Sequence, residues 1–363
     1  CSNCKTIFRT DPAGEISCPR CGASGEFHPK NIEPQHPVAK SEALPLQESG
    51  TSGGKMARCG NCKTVFRVDY YGDVKCPKCG ASGDLPHKPE APAGNFRIAL
   101  SYLIAITIAE IFTASFRATN LDSTKYLYLG LILHAFILVM LIGHSSMSKS
   151  KDLSNILLAM AMAPLIRIIS LTMPLYRFAY PGWFLILSIP LLIAPFAVAY
   201  VQGIPGKALG LTIGKKPVLQ ILTILMGFGF GTFEYLVLKP ALMIPTEVTF
   251  YTVAAAVLLL ALATGFSEEI IFRGIIQNST IMAFGTKTGI IFTSTLFAIL
   301  HVGNITGWNV TVLDVLLVFV VGFVYSLVML KSKSIMGISI SHTLTNTTLF
   351  IICPIVFPLL GWA

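Results

Sequence analysis

Nine apolar segments follow one another from Phe96 onward, separated by short polar stretches. They cover roughly 97–117, 125–144, 153–173, 183–202, 217–238, 249–278, 288–303, 310–330 and 335–353. Most are close to the ~20 residues that a helix needs to cross the hydrocarbon core of a bilayer. The pattern predicts an all-α polytopic membrane protein with about eight or nine transmembrane helices.

The first 95 residues have a different pattern, in which cysteines recur in pairs. Two CxxC knuckles separated by thirteen residues occur once near the start of the chain and again between Cys59 and Cys79. Four thiolates at this spacing suit a small β-hairpin zinc ribbon. We therefore predict two structural zinc ions, one in each ribbon. Their ligands would be Cys1, Cys4, Cys18 and Cys21 in the first ribbon, and Cys59, Cys62, Cys76 and Cys79 in the second.

The composition shifts along the chain suggest the domain boundaries. Two stretches are rich in Pro, Ser, Gly and Glu with few large apolar residues, so they cannot bury enough surface to fold alone. We expect a zinc ribbon at 1–29, a linker at 30–57, a second ribbon at 58–83, a linker at 84–95, N-terminal transmembrane helices at 96–216 and a C-terminal transmembrane core at 217–363.

The charge content agrees with a membrane protein and suggests its orientation. Only 12% of residues are charged, against about 25% in soluble domains. Basic residues concentrate in alternate loops, which predicts cytoplasmic ribbons and a C-terminus on the opposite side. The basic-rich loops carry Lys149, Lys151, Lys207, Lys215, Lys216, Lys287, Lys331 and Lys333, whereas the other loops carry only Arg117, Lys125, Arg177 and Lys239.

The basic excess does not indicate nucleic-acid binding, because it lies in these loops. The ribbons are balanced in charge before zinc, and zinc-bound thiolates would add negative charge that is unfavourable to phosphate. The ribbons therefore favour docking of a protein partner. Their fusion to a membrane domain favours a prokaryotic cell membrane.

Charged residues within apolar segments are costly and are usually functional or paired. Glu110 and Arg167 lie at about the same distance from the predicted cytoplasmic ends of the first and third segments, at ~1.5 Å per residue. We predict a structural ion pair between them, without a role in chemistry.

The sixth segment contains Glu268, Glu269 and Arg273 within six residues. Glu269 and Arg273 are four positions apart, so they share a helix face where a salt bridge offsets part of the burial cost. Glu268 points about 100° away and is free for another task, such as that of a general base. A purely structural Glu–Arg pairing is the alternative.

Two later segments contain further polar side chains. His301 ends one apolar helix, while His342 and Asn346 share one face of another. With Glu268 they lie on the order of 10–20 Å from the predicted cytoplasmic ends. Such groups should face the bundle interior, so we expect a hydrated intramembrane site.

Together, the patterns Glu268-Glu269-x-x-x-Arg273, Phe297-x-x-x-His301 and His342-x-x-x-Asn346 resemble the CPBP family of intramembrane proteases, which includes type II CAAX prenyl endopeptidases and bacteriocin-processing or abortive-infection proteins. The resemblance covers about 217–353. It implies an endopeptidase in which Glu268 activates water with help from His301. His342 and Asn346 would stabilise the oxyanion, and Glu269 with Arg273 would order the site.

Both the mechanism and the function have alternatives. Two histidines and a glutamate could form a zinc site, but Asn346 and the lack of an HExxH helix favour a metal-free glutamate mechanism. The expected substrates are membrane-associated proteins or peptides, and nothing in the sequence selects a prenyl group. The alternatives are a non-catalytic scaffold or immunity protein that binds peptides without cutting them, and a transporter with buried charges along an ion path.

Overall fold

The computed structural model describes residues 15–17, 24–26, 46–47, 55–59, 61–68, 72–80, 82–85, 93–118, 124–172, 180–214, 216–244, 247–302 and 308–361. The chain divides into two compact units, Cys1–His87 and Lys88–Ala363. The predicted zinc ligands of the first ribbon, Cys1, Cys4, Cys18 and Cys21, lie outside the described residues.

The first unit contains short antiparallel strands. Strands β1 (Glu15–Ser17) and β2 (Ser24–Glu26) pair with each other, β4 (Lys55–Arg58) pairs with both β3 (Leu46–Gln47) and β5 (Val65–Val68), and β6 (Gly72–Lys75) pairs with β7 (Ser82–Leu85).

Each CxxC knuckle of the second ribbon lies in the turn of its own hairpin, because β4–β5 flanks the first and β6–β7 flanks the second. The hairpins thus form across the knuckles, and the described β5 and β6 belong to different sheets. Strand β4 begins at Lys55, inside the stretch 30–57 predicted as a linker, because it is the first strand of the hairpin that carries the knuckle.

The second unit is helical. Its helices are α1 (Ala93–Ala118), α2 (Thr124–Met147), α3 (Lys151–Met160), α4 (Met162–Thr172), α5 (Tyr180–Gln202), α6 (Pro217–Leu238), α7 (Phe250–Leu260), α8 (Ser267–Glu269), α9 (Gln277–Phe284), α10 (Thr286–Ile299), α11 (Trp308–Ser332), α12 (Met336–Thr347) and α13 (Cys353–Leu359). Three π-helical segments, Ala261–Phe266, Ile270–Ile276 and Thr348–Ile352, join α7 to α8, α8 to α9 and α12 to α13.

Eight helices in the described part of the chain are long and apolar enough to cross a membrane, which confirms the predicted all-α polytopic class. Helices α7–α9 form one of them, a continuous rod of 35 residues from Phe250 to Phe284. The predicted segment at 288–303 is a shorter apolar helix, α10. At ~1.5 Å per residue it extends about 21 Å, less than the ~30 Å hydrocarbon core.

Glycines let α6 and the π-helical segment before α8 approach α12 closely enough to build a site. A Cβ at Gly227 or Gly231 of α6 would collide with the carbonyl oxygens of Ser341 and Thr345. A Cβ at Gly265, in the π-helical segment before α8, would collide with the Thr343 hydroxyl and lie 2.8 Å from the Ser339 carbonyl oxygen. Small residues at such crossings are the usual means of bringing membrane helices together.

A chain of hydroxyl contacts fixes α11 and α6 against the same helix. The Tyr325 hydroxyl of α11 donates to Ser341 Oγ at 2.9 Å. Ser341 in turn donates to the Thr223 carbonyl of α6 at 2.6 Å. In an apolar surrounding such bonds are costly to break, because no water replaces them. The rotation of α12 about its axis, and hence the direction of its polar face, is therefore well defined.

Candidate active site

Glu269 is the centre of a buried ionic cluster. Its Oε1 accepts from Arg273 Nη1 at 3.0 Å and lies 2.8 Å from Nδ1 of His342. Glu269 and Arg273 have no exposed side-chain surface, and the structure contains the ion pair predicted from their four-residue spacing. Arg273 also donates through Nη2 to the Gly322 carbonyl of α11 at 3.1 Å. The pair therefore ties the glutamate helix to α11 and α12.

Glu268 has a different environment although it is the next residue. About a fifth of its side chain (22%) is exposed, whereas that of Glu269 is wholly buried. Its closest described charged partner is Nε2 of His342, at 3.9 Å from Glu268 Oε2. This distance is too long for a direct hydrogen bond but suits two groups that contact the same water. His342 thus has one carboxylate beside each ring nitrogen.

The backbone around the two glutamates departs from regular α-helix. The short helix α8, which carries both, lies between the π-helical segments Ala261–Phe266 and Ile270–Ile276. Such wide turns are rare and occur frequently at functional sites, because they change the direction of the side chains that follow. Here they flank the two glutamates, and the second of them contains Arg273.

His301 lies where α10 ends, and the way that the helix ends fixes its ring. The last turn tightens, so the His301 N–H bonds to the Ala298 carbonyl at 3.0 Å instead of to that of Phe297. The Phe297 carbonyl, to which the His301 backbone N–H does not bond, lies 3.0 Å from the His301 ring nitrogen Nδ1. A carbonyl can only accept, so Nδ1 carries the proton, and in the neutral ring Nε2 is a free acceptor.

The Phe297 ring lies among the polar groups of the site. Its centroid is 4.9 Å from that of His301 and 6.1 Å from that of His342, both edge to face. The Arg273 guanidinium lies over the same ring at 4.5 Å. A cation over an aromatic face is stabilised by the ring quadrupole, more so where water is excluded. Phe297 therefore links His301 to the ionic cluster.

Asn346 completes the polar face of α12. Its amide nitrogen donates to the Thr264 hydroxyl at 2.8 Å. Thr264 lies four residues before Glu268, so the two share a helix face. The structure thus places Asn346 beside the glutamate helix, one turn from Glu268.

The described contacts join the six predicted site residues into one region. Glu268 and Glu269 each lie beside a ring nitrogen of His342, and Arg273 bonds to Glu269. His301 contacts this region through the Phe297 ring, and Asn346 contacts it through the Thr264 hydroxyl. Sequence reasoning assigned no role to Phe297, Thr264 or Gly322. The first belongs to the motif that ends at His301, and the second could have been found from its four-residue distance to Glu268.

Comparison with known families returned a match in the part of the chain that contains this site. Residues 250–348 match the family model described as Rce1-like: Type II CAAX prenyl endopeptidase Rce1-like. These residues are an Rce1-like domain. Searches of curated proteins and of solved structures returned no match. The family is one of CAAX endopeptidases, which supports a membrane-embedded peptide hydrolase.

The Rce1-like domain contains all six predicted site residues, together with Thr264, Phe297 and Gly322. It begins at Phe250, where α7 begins. Helices α1–α6 and the cysteine-rich unit lie outside it.

Outside the Rce1-like domain, four cysteines of the second ribbon form a group that could hold a metal ion. All four sulfur atoms lie within 4.8 Å of one another, and the pairs Cys59–Cys79 and Cys62–Cys76 are 3.6 Å apart. Four sulfurs at ~2.3 Å around a tetrahedral zinc would be separated by about 3.8 Å. The group therefore fits the predicted zinc.

Local hydrogen bonds favour thiolates in this group. The hydroxyl of Thr64, 3.1 Å from Sγ of Cys62, is the main cause that lowers the pKa of the Cys62 thiol to about 6. The backbone N–H of Cys62 lowers the pKa of Cys59. Thiolates are the form that binds zinc.

Proposed function

We propose that this chain is an intramembrane endopeptidase that hydrolyses peptide bonds of membrane-associated proteins or peptides, with Glu268 as the general base. The observation that carries the proposal is the contrast between the two glutamates. Glu269 is fully buried and committed to Arg273 and His342, whereas Glu268 is partly exposed and faces Nε2 of His342 across 3.9 Å.

In the proposed reaction, a water held at Oε2 of Glu268 loses a proton to this carboxylate as its oxygen attacks the peptide carbonyl carbon. The developing oxyanion is stabilised by N–H donors, for which we propose Nε2 of His342 and the second amide hydrogen of Asn346. Collapse of the tetrahedral intermediate breaks the C–N bond, and the proton held by Glu268 passes to the leaving amine.

The donor role of His342 requires that its ring carry a proton on both nitrogens, and its surroundings favour that state. Glu268 and Glu269 with Arg273 have a net formal charge of minus one, and an imidazolium would bring the cluster to neutrality. A buried cluster whose charges cancel avoids much of the cost of burial. The hydrogen bond from Nδ1 to Glu269 then aims Nε2 at the reacting region, as a carboxylate orients histidines in other catalytic sites.

His301 would assist through its other ring nitrogen. Because Nδ1 donates to the Phe297 carbonyl, Nε2 is free to accept a hydrogen bond from the water or from a protonated intermediate. Arg273 and Glu269 order the site without touching the substrate.

We propose that this chemistry proceeds without a catalytic metal. The Nδ1 nitrogen of His342 is already bonded to Glu269, and the amide N–H of Asn346 suits a developing oxyanion but is not a usual zinc ligand. Activity should survive a chelator when the eight ribbon cysteines are replaced by serine. Loss of activity in that variant, with recovery on adding zinc, would contradict the metal-free mechanism.

For the N-terminal unit we propose a structural zinc in each ribbon and a role in docking a protein partner on the cytoplasmic side of a prokaryotic cell membrane. The four-sulfur geometry supports the zinc of the second ribbon, and the repeated spacing supports that of the first. The side of the membrane follows from the basic loops.

The proposed activity can be tested by comparing membrane proteomes of cells that carry either the native chain or its Glu268→Gln form at equal abundance. An endopeptidase predicts uncut proteins or peptides that accumulate only with Glu268→Gln. Identical proteomes from the two strains, with the native chain shown to be present, would favour a peptide-binding protein that does not cut.

A further inference from the structure

A second buried charge pair lies in the helices that precede the Rce1-like domain. Arg167 of α4 donates through Nε to Oε1 of Glu110 in α1 at 2.8 Å, as predicted from their equal depth. Nε2 of His134 in α2 lies 3.5 Å from the same oxygen. Glu110 and His134 are wholly buried. Three helices outside the domain therefore converge on one carboxylate.

The same arginine also reaches into the Rce1-like domain. Its Nη2 donates to the carbonyl of Leu300 at 2.5 Å. Leu300 is the C-terminal cap of α10, directly before His301. The last carbonyls of a helix have no partner within it and carry partial negative charge, so a guanidinium is a favourable partner there. One arginine thus joins the N-terminal helices to the helix end that carries His301.

We propose that Arg167, aimed by Glu110, is a positioning residue for His301. Two contacts hold the last turn of α10. The His301 ring bonds to the Phe297 carbonyl, and the Arg167 guanidinium bonds to the Leu300 carbonyl. The planar guanidinium fixes the angle between its bonds to Glu110 and Leu300, which a lysine cannot reproduce. This inference rests on the proposed function and assigns the helices outside the domain a part in it.

The first test uses an exchange of charge. A Glu110→Arg, Arg167→Glu double variant restores the ion pair but sets a carboxylate against the Leu300 carbonyl, where two acceptors repel. If the pair were only structural, the exchange would restore both the expression and the turnover that either single reversal loses. Our proposal predicts restored expression with kcat still roughly 10-fold or more below native, because small misplacements near a reacting group are expensive. Native kcat in the exchanged variant would overturn the proposal.

The second test uses a conservative substitution, so that the proposal can be tested even if the charge-exchanged variant does not fold. Arg167→Lys retains a cation beside Glu110 but loses the second bond to Leu300, so we expect kcat roughly 10-fold lower with KM within about twofold. The control is Arg97→Lys, the same change at an exposed position of α1. Unchanged kcat in folded Arg167→Lys would contradict the proposal.

A readout without turnover separates this proposal from that of the protease. In protein labelled with 15N-histidine, the His301 ring signals are identified by their loss in His301→Gln. Arg167→Lys should shift or broaden the Nδ1 signal of His301, whereas Arg97→Lys should leave it in place. An unchanged signal would refute the positioning role even if the protein cuts peptides. If Glu268→Gln proved fully active, only the assignment of Glu268 as the base would fail, and if the native protein cut no peptide, the protease proposal itself would fail; the spectral result would stand in both cases.

Discussion

Replacing Glu269 with glutamine should destabilise the protein far more than the same change at Glu268. Glu269→Gln removes the negative charge from an oxygen that Arg273 and His342 both contact within 3.0 Å, and the side chains of Glu269 and Arg273 have no exposed surface. Removing one partner of a buried ion pair costs about 3 kcal/mol or more, because the other charge is left buried. In Glu269→Gln, Arg273 still contacts the Gly322 carbonyl and the Phe297 ring. We therefore expect the free energy of unfolding to fall by about 3 kcal/mol, the lower end of that range.

Glu268→Gln is the matched control. The Glu268 side chain is 22% exposed and its nearest described charged group is 3.9 Å away, so we expect the free energy of unfolding to fall by about 1 kcal/mol or less. The free energies of unfolding can be compared in mixed micelles by titration with a denaturing detergent. An equal loss for both variants, or a larger loss for Glu268→Gln, would refute the division of roles between the two glutamates.

Three further predictions concern other parts of the chain. Gly265→Ala should destabilise by about 1–3 kcal/mol in the same unfolding assay, because its methyl group meets α12, whereas Gly229→Ala, with nothing within 4 Å, should not. Phe297→Leu should lower turnover while the protein still folds, since the Arg273 cation and the His301 ring lose the aromatic partner between them; native turnover would contradict this. Cys62→Ser should reduce the zinc content of purified protein, measured by elemental analysis, by about one ion per chain, and an unchanged content would exclude this thiolate as a ligand.

The parts of the fold and site that were predictable follow from local periodicity. Apolar segments of membrane-spanning length gave the helices, and the spacing of four between Glu269 and Arg273 placed both on one face. Equal depth identified Glu110 and Arg167 as partners. These inferences need only the geometry of a helix and the cost of charge in lipid.

Other features depend on contacts between distant segments. The hydrogen bond from Arg167 to Leu300 spans 133 positions, and that from Asn346 to Thr264 spans 82. Neither has a sequence signal beyond the polar character of the residues. The π-helical segments beside α8 also escaped prediction, because the sequence pattern of a π turn hardly differs from that of an α-helix. In the second ribbon, the hairpins form across each knuckle, which cysteine spacing alone does not determine.

The central claim is that Glu268 activates the water that cuts the peptide bond. The direct measurement is the rate of peptide hydrolysis by purified native protein and by Glu268→Gln, each reconstituted in lipid vesicles, with a substrate found in the proteomic comparison. The account predicts that Glu268→Gln binds this peptide with similar affinity but cuts it roughly 1,000-fold more slowly or not at all, the loss expected when a general base is removed. A folded Glu268→Gln protein that cuts at the native rate would contradict the account.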